Sequence, residues 1–341
     1  MNRRSILIDA LNHKDTCPIP YTLGLTTQAK DNLIAYTGDL EIEKKINSFM
    51  TGIYYSGDPI EINGRSGYYL DDFGVVWNRN GADKDIGMIE GYVIENLENN
   101  TYIFPEMDTQ WLRNELEKLC SSGTDKFLTA NFGFTMFERC WTLMGMENTL
   151  GYMITDPETL EDFFDRLCDF WLPIIDIALE YDVDAIMFGD DWGQQNGLIM
   201  GPNHWRRFIK PRMAKLYERA KSKGKFVLQH SCGDCREIFP DLIEIGLDCY
   251  QTFQPEIYDI VEMKKLYGKN ISFWGAISTQ QCLPKMSPKQ IQEEIVRIAR
   301  VLSEGGGYIM APTHDVPGDV KAENILAMLD VFQNQEKYIQ R

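Results

Sequence analysis

Residues 185–191 read Ala185-Ile-Met-Phe-Gly189-Asp190-Asp191: a short apolar run that stops at two carboxylates. Just before it, residues 157–181 place Leu160, Phe163, Phe164, Leu167, Phe170, Trp171, Ile174 and Ile175 at helical spacing. Asp156 precedes Pro157 as an N-cap followed by a first-position proline. A long amphipathic helix feeding a strand that is apolar on both faces is the unit of a parallel sheet. The same unit recurs along the chain. Candidate strands are Tyr21–Leu25, Gly52–Ser56, Phe127–Phe132, Ala185–Gly189, Phe226–His230, Asp248–Phe253, Ile271–Gly275 and Tyr308–Ala311. Ser287 caps a second clear helix, residues 288–302, with Ile291, Ile295, Ile298 and Leu302 on one face. Eight β-then-α units predict an α/β fold, a (β/α)8 TIM barrel.

No Pro/Gly/Ser-rich linker or short repeat divides the 341 residues, so the reading is one domain over 1–341. Residues 1–18 supply an N-terminal helix, Arg3–Lys14, and a lead-in; the helix is expected to pack outside the barrel. Residues 59–126 fit the alternation poorly. They contain Gly67-Tyr-Tyr-Leu-Asp-Asp-Phe-Gly-Val-Val-Trp77, read as a β-hairpin in an insertion after strand 2, on the rim.

Lys plus Arg total 34 and Asp plus Glu 51, a formal charge of −17. That balance argues against nucleic acid, whose binders need a basic face, and against an anionic membrane surface. Hydrophobic residues at 44% and charged residues at 25% exclude a mainly disordered chain. No apolar run reaches the roughly 18 residues of a membrane span. The opening Met1-Asn-Arg-Arg-Ser-Ile-Leu-Ile-Asp9 does not read as a signal peptide. With eight cysteines, the expectation is a reduced, cytoplasmic protein whose paired cysteines bind metal or do redox work.

Active sites of such barrels lie at the C-terminal ends of the strands. The polar groups there are Asp58; Asn131 and Glu138; Asp190 and Asp191, then Gln194 and Gln195; His230-Ser-Cys232-Gly-Asp-Cys235; Gln254 and Glu256; Trp274; and His314-Asp315. His230-x-Cys232 with His314 across the mouth is a reasonable zinc set, since zinc accepts imidazole nitrogen and thiolate, and catalytic sites pair three protein ligands with an open position. Asp190 or Asp191 is a candidate fourth group. One of the two is expected to face the mouth and the other to cap a turn. Asp190, Asp58 and Glu138 are the catalytic candidates; Asp191, Gln195, Gln254 and Trp274 are the cofactor-binding candidates. Two bland alternatives stand beside this: a core-adjacent histidine with ordinary buried cysteines, or Cys232/Cys235 as a redox pair. Glu304-Gly-Gly-Gly307 precedes the last strand and reads as a tight turn, not a phosphate cradle.

Taken in order, several stretches carry a resemblance. They are Ala10-Leu-Asn-His-Lys-Asp15 with Pro18-Ile19, Asp72-Phe-Gly-Val-Val-Trp77, Phe137-Glu138, Gly189-Asp-Asp-Trp-Gly193, Pro211, His230-x-Cys232-Gly233, Trp274-Gly275 with Gln280, and Ala311-Pro312. The chain resembles the uroporphyrinogen decarboxylase superfamily over nearly its whole length, and within it the branch of corrinoid-dependent methyltransferases. The resemblance implies a (β/α)8 barrel. True decarboxylases of the family need no metal and hold a carboxylate-rich tetrapyrrole with arginines after strand one. Here that stretch is Gly24-Leu-Thr-Thr-Gln-Ala-Lys30, without arginine. Asp58 loosely matches the family aspartate. The thiol-methylating members hold zinc by His-x-Cys and a later Cys, and the matching late position here is His314. The site then either survives as two histidines and one cysteine, or marks a subgroup that has left thiol chemistry.

The resemblance thus implies methyl transfer between a corrinoid (cobalamin) carried by a partner protein and a small acceptor, a zinc-activated thiol first among them. Tetrahydrofolate as acceptor, and a metal-free decarboxylase or lyase using Asp58, Asp190 and His230 on a smaller acid, are the alternatives; a non-catalytic binding barrel is a third. A homodimer is possible.

Overall fold

The structure, a computed structural model, describes residues 2–57, 59–81, 84–97 and 102–339. Its centre is one sheet of seven parallel strands: β1 (Met50–Tyr55), β2 (Phe127–Phe132), β3 (Ala185–Gly189), β4 (Phe226–His230), β5 (Cys249–Thr252), β6 (Ser272–Ile277) and β7 (Tyr308–Pro312). Each pairs with the next in chain order, the wind of a curled sheet whose helices lie outside. Apart from β1, the strands are largely buried, β7 throughout, as their mainly apolar sequences require.

The sheet has seven strands, not the expected eight. Residues 21–25 form no strand. Tyr21 makes a single bridge to Met310 and Leu25 a single bridge to Val316. The segment nevertheless meets both edges of the sheet. Thr22 N–H donates to the Met310 carbonyl at 3.0 Å, and Phe49 N–H, next to β1, donates to the Tyr21 carbonyl at 2.9 Å. A ladder needs successive bonds to one neighbour, and here Leu23 N–H goes to the Ser48 hydroxyl instead.

Helix α1 (Arg3–Leu11) does not lie against the outer wall. It crosses the N-terminal ends of the strands, burying Ile6, Leu7, Ala10 and Leu11. Its backbone bonds the residues just before β2 and β7: Arg4 N–H to the Asp125 carbonyl at 2.7 Å, and Gly307 N–H to the Ala10 carbonyl at 2.8 Å. Gly305, Gly306 and Gly307 all have φ near +70°. A Cβ on Gly306 would sit 2.5 Å from the backbone of His13, so this turn must be glycine to admit the end of the N-terminal segment.

Residues 59–126 hold more than a hairpin. Tyr68–Leu70 and Val76–Asn78 do pair antiparallel, Tyr69 opposite Trp77, but Ile60–Glu61 and Met88–Ile89 extend them to a four-stranded sheet. Two-residue strands are too short to show an alternation. The stretch then ends in α2 (Thr109–Ser121), capped by Asp108, which buries Leu112 and Leu116. Further along come α3 (Phe137–Met144) and, after a helix over Met146–Thr155, α4 (Pro157–Ala178). Asp156 caps α4 by accepting Thr159 N–H, and Ser287 with Gln290 forms a capping box on α5 (Pro288–Leu302). Among the described residues no helix is long and apolar enough to cross a membrane.

Candidate functional site

The strand ends bring three side chains together. His230 is the last residue of β4, Cys232 follows it, and His314 comes two residues after β7. One ligand atom from each lies within 4.8 Å of the others. Cys232 Sγ is 3.7 Å from His230 Nε2. Around a tetrahedral zinc with ordinary bond lengths a sulfur and a nitrogen ligand stand about 3.6 Å apart, so this pair has the right span.

The register explains the ring's orientation. His230 and Gln251 are partners across β4 and β5, so their side chains emerge side by side. Gln251 Oε1 accepts from His230 Nδ1. An amide oxygen only accepts, so Nδ1 carries the hydrogen and the Nε2 lone pair faces Cys232. His314 is exposed, and its Nδ1 accepts the N–H of Asp315 at 2.9 Å.

The adjacent aspartates take opposite roles. Asp191 Oδ1 accepts Cys232 N–H at 2.7 Å and lies 3.4 Å from His230 Nε2. Asp190, expected as a displaceable metal ligand or catalytic carboxylate, is fully buried and turned away. Its Oδ1 accepts the N–H groups of Met136 (3.2 Å) and Glu138 (2.8 Å). Its Oδ2 accepts those of Phe137 (3.0 Å) and the Trp192 indole (2.5 Å). It therefore closes the N-terminus of α3, where a carboxylate satisfies orphan donors. Burial pushes its pKa up to about 6, against these four hydrogen bonds.

Burial works against a charge on His230, but hydrogen bonding to Asp191 and Cys232 and their negative charge hold its pKa well above the ordinary value. Asp191 is half-buried, and its loss of solvent opposes ionisation, yet His230 lowers its pKa. Burial raises the Cys232 thiol. Glu138, half-buried beside these groups, is raised well above the carboxylate range by burial, then by Asp191 and Asp190.

The remaining candidates scatter. Asp58 lies outside the described residues. Gln195 is exposed in the turn between Gly193–Gln194 and Gly197–Leu198, and no contact joins it to the triad. Gln254 holds the loop after Cys232, accepting Gly233 N–H at 2.8 Å. Trp274 donates to Thr22 Oγ1 at 2.8 Å and lines a cavity of about 230 Å3 beside His314. Cys235 is buried behind the loop, free, with its thiol pushed up to about 12 by burial, the opposite of an attacking redox thiol. Sequence reasoning missed Gln251. Only the pairing of β4 with β5 singles it out.

A family model, uroporphyrinogen decarboxylase (URO-D), matches residues 134–335. The chain belongs to this family. Among its relatives is a methylated-thiol–coenzyme M methyltransferase of Methanosarcina mazei, 23% identical over 152 residues, covering 44% of this chain and 38% of that protein. Another is a uroporphyrinogen decarboxylase of Ruthia magnifica subsp. Calyptogena magnifica, 20% identical over 189 residues, covering 55% and 52%. The chain thus spans about half or less of the curated relatives it matches. Both relatives are enzymes by name. A solved methyltransferase from Methanosarcina mazei shares the fold, with a TM-score of 0.70 at 16% identity over 98% of this chain and 99% of that one.

Proposed function

We propose that this chain is a methyltransferase that moves a methyl group from a corrinoid on a partner protein to a small thiol bound at a zinc centre. The observation that carries the reading is the convergence of His230, Cys232 and His314, with Gln251 turning the His230 lone pair toward the thiol. In this reading the seven strands and residues 20–25 together make up the (β/α)8 barrel of the family.

Two nitrogens and a sulfur suit zinc, and three protein ligands leave a position for the acceptor. Bound zinc would lower the acceptor thiol's pKa. Asp191, beside His230 Nε2 and accepting the Cys232 N–H, orients these two ligands. Glu138 stands nearby with its carboxyl raised by burial and by Asp191 and Asp190, which disfavours a second negative charge there. A corrinoid docked over the rim would supply the methyl group and would retain the electron pair that held it, leaving the methyl to the acceptor sulfur. Gln254 and Asp191 keep the Cys232–Gly233 loop in place during the exchange. The name of the Methanosarcina mazei relative, a methylated-thiol–coenzyme M methyltransferase, supports sulfur compounds as the reacting class.

Elemental mass spectrometry of the purified protein tests the centre. The expected result is about one zinc per chain, lost in both Cys232→Ser and His314→Ala. Wild-type protein without zinc, prepared with no chelator present, overturns the reading.

A further inference from the structure

The cavity beside the triad carries an uncompensated polar wall. Its lining includes Thr22, Gly24, Asn131, Trp274, His314 and Asp315, and no lysine or arginine is among the lining residues. Asn131 Oδ1 is buried without a hydrogen-bond partner. Among the described residues the Asp315 carboxylate meets no cation and accepts no hydrogen bond; only its backbone N–H is engaged, with His314. Asp315 also has its place reserved. A Cβ on Gly24 would lie 1.8 Å from Asp315 Oδ1, so the glycine is what lets the carboxylate rest on this wall.

Buried acceptors without donors are rare because they forfeit their hydration. Asn131 Oδ1 is one such acceptor, and the exposed Asp315 carboxylate at the mouth adds a negative charge that no cation meets among the described residues; together they call for a ligand that brings N–H groups. An ammonium brings three and a positive charge. An anionic group would instead face Asp315 with no counter-charge, in a chain whose net charge is already −17. At about 230 Å3 the cavity is smaller than those that enclose drug-sized ligands.

We propose that this cavity selects a small acceptor with an ammonium end, held by Asp315 and Asn131, and rejects thiols that carry a sulfonate or carboxylate. The inference rests on the reading of the triad as a thiol-binding metal centre.

The test uses the cobalt(II)-substituted protein and three probes: 2-aminoethanethiol, 2-mercaptoethanol and 2-mercaptoethanesulfonate. Sulfur-to-cobalt charge-transfer absorption reports each thiol's dissociation constant. The aminothiol is expected to bind at least about tenfold more tightly than the sulfonate, with the neutral thiol between them. Asp315→Asn is expected to bring the aminothiol within about threefold of the neutral thiol. Equal or tighter binding of the sulfonate by the wild type overturns the inference and leaves the metal-centre reading standing. If cobalt binds but no thiol alters its spectrum, the thiol reading fails instead. Ethanolamine against 2-hydroxyethanesulfonate, by calorimetry, then decides the cavity without sulfur. A preference for the amine sustains the charge selection; equal binding, or binding of neither, overturns it.

Discussion

Glu138 and Arg139 are consecutive residues of α3, yet they belong to two different regions. Successive helix residues point about 100° apart. Glu138 turns to the rim with Asp191 and His230, and Arg139 turns into the base of the inserted sheet. There Arg139 is fully buried, donating to Asp71 Oδ2 at 3.0 Å and to the Ser56 carbonyl at 2.6 Å, with its guanidinium 3.7 Å from the centre of the Phe73 ring. Asp71 also accepts Val75 N–H and the Trp77 indole N–H. Of this network only Arg139 Nε lacks a partner. The rim is the reverse. His230 and Asp191 are partly open, the thiol and imidazole face each other without a strong bond, and Asp315 and Asn131 have no donors. Two clusters of charged groups at the same end of the fold thus differ in saturation. The closed one holds structure together; the open one has valence to offer a ligand.

Substitutions can break that contrast. The largest effect is expected from Arg139→Met, which leaves Asp71 buried and unpaired. It should cost about 3–5 kcal/mol in urea unfolding, while zinc per folded chain stays unchanged. The double variant Arg139→Met with Asp71→Asn should cost less than the single change, because no buried charge is stranded. A rim variant that lost as much stability would erase the distinction.

Acid is the next lever. Zinc must displace a proton from His230, which Asp191 keeps protonated above the usual histidine range, and another from the Cys232 thiol. Affinity should therefore fall as pH falls, by about a hundredfold per unit near neutrality if both protons leave. A chelator competition at pH 6.5 and 7.5 measures it, and a flat profile would deny the two ligands their part. Gln251→Leu frees the His230 ring without touching a ligand. It should weaken zinc about 10–100-fold in the same competition, with little change in unfolding. The smallest effect is expected at Gln195. Exposed in its turn, its change to Ala should leave both zinc affinity and stability within about 0.5 kcal/mol of the wild type.

Much of the frame was legible along the chain. Phe127–Phe132, Ala185–Gly189 and Phe226–His230 coincide with β2, β3 and β4, because a strand buried on both faces is mainly apolar along its length. The caps Asp156 and Ser287 were legible for a similar reason, since the donors they satisfy lie two or three residues away. Residues 21–25 look like a strand and are not one, because a strand is defined by its neighbours' bonds and not by its own composition. The inserted sheet was half visible, its outer strands being shorter than any period.

Residue chemistry alone thus determined the parallel wind, the strand ends as the place to look, and the donor types gathered there, because each follows from contacts within a few residues or from the period of burial. Only the tertiary structure decided between Asp190 and Asp191. The two are identical in type and adjacent in sequence; the difference is that one meets the open N-terminus of α3 and the other meets His230. The same holds for Gln251, an unremarked strand residue until β4 and β5 pair, and for the bare carboxylate of Asp315. Saturation is a property of surroundings, and surroundings exist only once distant segments have come together.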